Sequence, residues 1–197
     1  MASVVISGDT SGSVTLSAPA VAGSSTQTLV AATGTLAPLV HGTSVTASGQ
    51  TSIDFTGIPS WAKRITVMFQ GLSTNGTSPV RIRIGLTTLV TTGYVGGMIT
   101  YNTNSLEGSG AVTDGFPVDI ANAGSSATTA RHGLVTIINL GGNSYVATSV
   151  IGFSPGGLVG ANGGSSVTAN GIIDRLSITT VIGSQTFDAG TINIMYE

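Results

Sequence analysis

The stretch RITVMFQGLSTNGTSPVRIRIGL (residues 64–86) decides the fold class. In an extended chain Ile65, Val67 and Phe69 fall on one face, and Thr66, Met68 and Gln70 on the other. Val80, Ile82 and Ile84 repeat the alternation against Arg81 and Arg83. Period-two patterning in β-branched runs suits a pleated, half-buried surface. Asn75-Gly76 lies between the two runs and is a strong reversal signal. Residues 64–71 and 79–86 are therefore predicted to form a β-hairpin.

The same signals continue outward. Residues 133–140 and 144–153 flank Gly141-Gly142-Asn143 and predict a second hairpin. Strands are predicted at 93–101, where Gly96-Gly97 interrupts the pattern, and at 172–182. The C-terminal run 189–197 places Ile192, Ile194 and Tyr196 on one face, so it is expected to be paired although it ends the chain. Residues 154–171 hold five glycines among Ser, Ala and Asn, and read as a long loop. No window shows helical apolar spacing with caps. The fold class is all-β: an antiparallel β-sandwich, jelly-roll-like, over residues 46–197, preceded by an extended N-terminal arm over 1–45.

Charge limits the function. Only 7% of the 197 residues are Asp, Glu, Lys or Arg, against a usual ~25%. Such a surface suits a fixed assembly, where like-charge repulsion would be a cost; hydration by Ser and Thr hydroxyls is the plainer alternative. Six Lys and Arg in all, among them Lys63-Arg64 and Arg81/Arg83, are too few for a phosphate-binding face, so no nucleic-acid partner is expected. No window approaches a membrane span, and the first ten residues lack a signal-peptide pattern, so no membrane partner and no signal-dependent export are expected. Synthesis in a host cytoplasm follows as the expectation. Cysteine is absent, which excludes disulfides and thiolate metal sites.

Catalytic signatures are missing. There is no G-x-S-x-G elbow, P-loop or G-x-G-x-x-G run. His41 and His132 lie far apart in sequence with no ligand spacing around them, and no Asp-rich calcium loop occurs. Eight acids are present; Asp54 reads as a solvent-side strand residue, and Asp174 and Arg175 as surface ion-pair formers on opposite faces. No catalytic residue, metal site or cofactor is expected. Trp61, Tyr94, Tyr101 and Tyr145 are the aromatics that would serve a subunit interface or stack on a ligand, with burial in the core as their competing role.

The arm has its own pattern. Val14 and Leu16 alternate with Thr15 and Ser17, and Pro19 then blocks pairing inside a sheet. Two short extended runs bury too little to stand alone. Val14, Leu16, Pro19, Val21, Leu29 and Leu36 are the residues expected to attach the arm to something else. The run SGSVTLSAPAVAGSSTQTLVAATGTL (11–36) resembles a stretch that recurs in tail-fibre and other virion proteins of tailed bacteriophages. The likeness is carried by Gly12, Val14 to Leu16, Ala18 to Gly23, Thr26, Thr28-Leu29 and Ala31 to Gly34. Residues from 53 to the C-terminus show a looser likeness to the β-sandwich that follows it in such proteins.

That resemblance implies a non-enzymatic structural role on the surface of a phage particle, as a homotrimer, with the major capsid or tail proteins as partners. Capsid decoration (cement) and short fibre roles both fit a short knob with an arm. The alternative is the receptor-binding tip of a tail fibre, a module for host glycan. Its mark would be exposed aromatics and acids in the segments 101–119 and 154–171.

Overall fold

The computed structural model describes residues 3–7, 11–17, 37–102, 105–109, 111–120, 126–154 and 158–197. The chain divides into two compact units, Met1–Leu36 and Ala37–Glu197. The first contains the strands β1 (Ser3–Ser7) and β2 (Ser13–Ser17). The second opens with the short strands β3 (Val40–His41) and β4 (Val45–Thr46), then β5 (Ser52–Thr56), β6 (Arg64–Thr74), β7 (Val80–Leu86) and β8 (Thr88–Leu89). It continues with β9 (Val95–Asn102), β10 (Leu106–Ser109), β11 (Phe116–Pro117) and β12 (Ala130–Gly141). It closes with β13 (Ser144–Ser154), β14 (Leu158–Thr168), β15 (Arg175–Thr180) and β16 (Phe187–Tyr196). The described residues contain no helix.

The second unit is an antiparallel β-sandwich. Its larger sheet runs β10-β9-β14-β13-β12-β6-β16, with β3 and β4 both on the outer edge of β16. The smaller sheet runs β11-β7-β15-β5, with β8 added to β7. Alternation fixes which side chains meet between them. Val67, Val135, Ile137, Ile151 and Ile192 point inward from the larger sheet, and Val80, Ile82, Ile84, Leu176 and Ile178 from the smaller. Each such side chain contributes about 1.5–3 kcal/mol by leaving water, so a one-residue slip of any central strand would forfeit several at once.

The segment quoted at the outset forms both predicted strands but not the predicted hairpin. β6 pairs with β12 and β16, whereas β7 pairs with β11, β15 and β8. Residues 75–79 therefore cross from one sheet to the other. A hairpin would place both apolar faces on the same side of one sheet, whereas the crossing turns them toward each other. The corner is fastened elsewhere: Asn75 N–H donates to the Thr186 carbonyl at 3.0 Å, and Thr186 N–H to Asn75 Oδ1 at 3.0 Å.

The second predicted hairpin, β12–β13, forms as expected. Gly141 and Gly142 carry its turn at φ 126° and 55°, and Asn139 braces it by accepting from Gly141 N–H at 2.9 Å. β12, β13 and β14 are consecutive neighbours in one sheet, a meander rather than the sheet-to-sheet alternation of a jelly roll.

Residues 154–171, expected as a loop, contain β14, paired along its length to β13 and β9. Its glycines conceal the strand from periodicity and serve close packing. At Gly96 of the neighbouring β9, a Cβ would sit 2.3 Å from the Gly164 carbonyl oxygen. The strand predicted at 172–182 is shorter, Arg175–Thr180. The C-terminal strand is interior to its sheet, between β6 and the β3/β4 edge. Its end is tied by Lys63 and Arg64 N–H groups donating to the Glu197 carbonyl at 2.7 and 2.9 Å.

Candidate assembly surfaces

The N-terminal unit presents the first candidate. β1 and β2 pair antiparallel, with Val4 opposite Leu16, Val5 opposite Thr15 and Ile6 opposite Val14. Directly opposed residues share a face. Val4, Ile6, Val14 and Leu16 thus form one apolar face, and all four are 57–62% exposed. Among the described residues neither strand has a second strand neighbour. An isolated two-stranded ribbon is marginal in water, so this geometry suits pairing with another surface. Val14 and Leu16 are placed where the alternation put them. Val4 and Ile6 were missed, although the run Ser-Val-Val-Ile-Ser carries the same apolar signal as Ser-Val-Thr-Leu-Ser. Pro19, Val21, Leu29 and Leu36 lie outside the described residues. Residues 37–45, read with the arm, belong to the second unit, where Val40-His41 and Val45-Thr46 pair with β16.

The candidate aromatics separate. Tyr94 is a core residue. Its hydroxyl accepts from Ile84 N–H at 2.9 Å and donates to the Val90 carbonyl at 3.2 Å, and its ring meets Phe116 edge-on at 5.0 Å. Burial pushes its phenol up to about 12. Tyr145 is also buried, with its hydroxyl accepting from Ile173 N–H at 3.1 Å. Neither ring is available to a ligand. Each carries one polar group that a backbone partner inside the sandwich satisfies, which a lone aromatic in sequence does not reveal. Trp61 stays 42% exposed and leans on Tyr196 at 5.7 Å. Tyr101 is half-buried on β9.

The polar groups form structural clusters. Asp119 and Arg131 are an ion pair with both side chains fully buried. Asp119 Oδ2 accepts from Arg131 Nε at 2.5 Å, and its Oδ1 from Val80 N–H at 2.6 Å. Arg131 also donates to the Thr129 and Leu72 carbonyls at 3.1 and 3.4 Å. Burial pushes the Asp119 carboxyl above its ordinary range, while Arg131 and the Val80 amide pull it back. Arg81 is buried beside this pair, donating to the Asp119 carbonyl at 2.6 Å and pairing with Asp114 at 3.0 Å. Sequence reading missed this cluster because charged residues read as solvated.

On the surface, Asp54 is exposed as expected. Asp174 and Arg175, expected on opposite faces, pair with each other at 2.8 Å, because Asp174 precedes β15 and strand alternation does not yet govern it. The hydrogen bond from Arg175 holds the Asp174 carboxyl below its usual range.

One pair has the outline of a hydrolytic dyad: His132 Nε2 lies 2.9 Å from Ser154 Oγ. The proton is on the wrong nitrogen for catalysis. His132 Nδ1 accepts from Gly71 N–H at 3.2 Å, so in the neutral ring Nε2 carries the hydrogen and donates to Ser154. The imidazole cannot then act as base toward that hydroxyl. His41 sits on the short edge strand β3. Among the described residues no three His, Cys, Asp or Glu side chains are grouped to hold a metal, and no helix is long and apolar enough to cross a membrane. Comparison with protein-family models, curated proteins and solved structures finds no match to this chain.

Proposed function

We propose that this chain is a non-enzymatic structural subunit of a tailed-bacteriophage particle. In this reading it is a homotrimeric capsid decoration or short fibre protein, attached through its N-terminal arm. The observation that carries it is the β1–β2 ribbon, whose apolar face and open strand edges have no use in a lone chain. Strand addition from a neighbouring shell or tail protein would supply main-chain hydrogen bonds to the edges, which need no charge. Covering Val4, Ile6, Val14 and Leu16 would add about 1 kcal/mol or more each, before the cost of ordering the arm. The likeness of residues 11–36 to a recurring phage virion stretch supports the same reading, as does a composition with 7% charged residues.

The glycan-binding alternative has less support. Within 101–119, Asp114 and Asp119 are engaged by arginines, and the 158–168 segment is strand. Gold-labelled antibody against the protein, applied to purified particles, tests the proposal. Labelling of heads or tails is expected, and unlabelled particles from cells that express the protein would reject it.

A further inference from the structure

The sandwich carries a second surface that the arm does not explain. Register places the outward side chains of the larger sheet in rows across the strands. One row runs Ile99, Asn162, Val150, Leu134, Met68 and Asn193; the next runs Gly97, Gly164, Thr148, Thr136 and Thr66; a third runs Val95, Ser166, Val146, Ile138 and Arg64. Val95, Ile99, Leu134, Ile138 and Val150 are 40–70% exposed. The one charged residue in these rows, Arg64, is at the rim and paired with Glu197. The outer face of the smaller sheet differs sharply: Arg81, Arg83, Asp54 and Arg175 point outward there. A continuous apolar face of this extent on one side only marks an interaction surface.

The relief of the face identifies the partner. Leu134, Ile138, Val146 and Val150 on β12 and β13 form a ridge. Beside it, Gly97, Ile99, Gly108, Asn162 and Gly164 line a depression of ≈ 550 Å³. Two of these glycines are not required by the fold. A Cβ at Gly108 would meet nothing within 4 Å, and at Gly164 only a carbonyl oxygen at 3.9 Å. Neither has the positive φ that would demand glycine. Glycine inside a strand costs about 0.5–1 kcal/mol relative to alanine, and where packing does not demand it, it marks the close approach of another molecule.

We infer that this face joins copies of the chain, the ridge of one copy entering the depression of the next. An uncharged face bearing both a ridge and a matching hollow is complementary to itself. Ridge and depression lie on different strands, so each copy offers one to each neighbour, which is how a closed ring is built. Seven strands at ~4.8 Å spacing and four outward rows span roughly 800 Å², the area a stable interface buries per partner. The number of copies, three, rests on the function proposed above; the choice of face does not.

The test uses the full chain with Gly108→Val and Gly164→Val together. Valine fits both positions and favours strand, so the urea midpoint should equal or exceed that of the parent, while the hollow is filled. Light scattering should give three times the 19.5 kDa chain mass for the parent and the single-chain mass for the variant at the same concentration, with association weakened at least tenfold. A second measurement exploits the absence of cysteine. Leu134→Cys should react with maleimide at least tenfold more slowly than Thr56→Cys on the other sheet. A monomeric parent, an undiminished mass for the double variant, or equal labelling rates would overturn the inference. Loss of the trimer in the variant alongside unlabelled particles would uphold this face and reject the phage reading.

Discussion

Replacing Arg131 by methionine should be among the most damaging single changes available to the sandwich. The substitution leaves Asp119 fully buried with its Val80 hydrogen bond but without its counter-ion. It also strips the Thr129 and Leu72 carbonyls of a donor. Breaking a buried pair from one side costs about 3–5 kcal/mol, against a typical total stability of ~5–15 kcal/mol. With a urea m-value of ~2 kcal/mol/M for a domain of this size, the midpoint should fall by about 2 M. Trp61, the single tryptophan and packed on Tyr196, reports unfolding by fluorescence; far-ultraviolet dichroism supplies the second probe.

The double variant Asp119→Leu/Arg131→Met removes the orphaned charge. It should lose only ~2–3 kcal/mol, far less than the sum of the two single losses, because what remains unsatisfied is a few backbone groups. The pH response has a definite sign. In Arg131→Met the Asp119 carboxyl is raised further, so the variant is best tolerated where that group is protonated and loses stability as pH rises through its folded value. Its deficit should therefore shrink between pH 7 and 4. A midpoint shift under ~0.5 M for the single variant, or additive losses in the double, would refute the reasoning.

Other outcomes follow from the same geometry. Tyr94 has its phenol raised from 10.0 to about 12, so its neutral form supports folding fully below pH 10, and that support is lost between pH 10 and 12. The difference is about 3 kcal/mol, and a urea midpoint series should fall over that window for the parent but more shallowly for Tyr94→Phe. Deleting residues 192–197 removes an interior strand and uncovers β6, so the truncated chain should show no cooperative thermal transition; a soluble cooperative product would contradict the sheet order. Gly96→Ala places a Cβ 2.3 Å from the Gly164 carbonyl oxygen and should cost roughly 1–3 kcal/mol in urea unfolding, whereas an unchanged midpoint would contradict the β9–β14 register.

The legible parts of the fold are those where one physical signal has one meaning. Gly141-Gly142-Asn143 between alternating runs left β12 and β13 few ways to pair other than with each other. Asn75-Gly76 announced a reversal equally clearly, but a reversal can return along one sheet or cross to another, and local chemistry does not distinguish them. β14 was hidden because glycine and serine carry no apolar alternation; its strand form comes from the pairing that β13 and β9 offer. Tyr94 and Tyr145 were ambiguous because a tyrosine suits either a core or an interface, and only the positions of the Val90 carbonyl and the Ile84 and Ile173 amides decide between them. The Asp119–Arg131 pair was invisible for the opposite reason: each residue alone reads as surface, and burial becomes affordable only when both are present. In the arm, Val14 and Leu16 were legible by alternation, whereas their partner strand at 3–7 was not read.

The claim that the arm attaches the protein to its particle is tested most directly by placing charge on the ribbon's apolar face. Full-length chain carrying Val14→Lys and Leu16→Lys is mixed with particles that lack the protein, and bound chain is measured after sedimentation. The parent should sediment with the particles, while the variant, unchanged in urea midpoint and in solution mass, should remain in the supernatant. Equal sedimentation of the two would contradict the account.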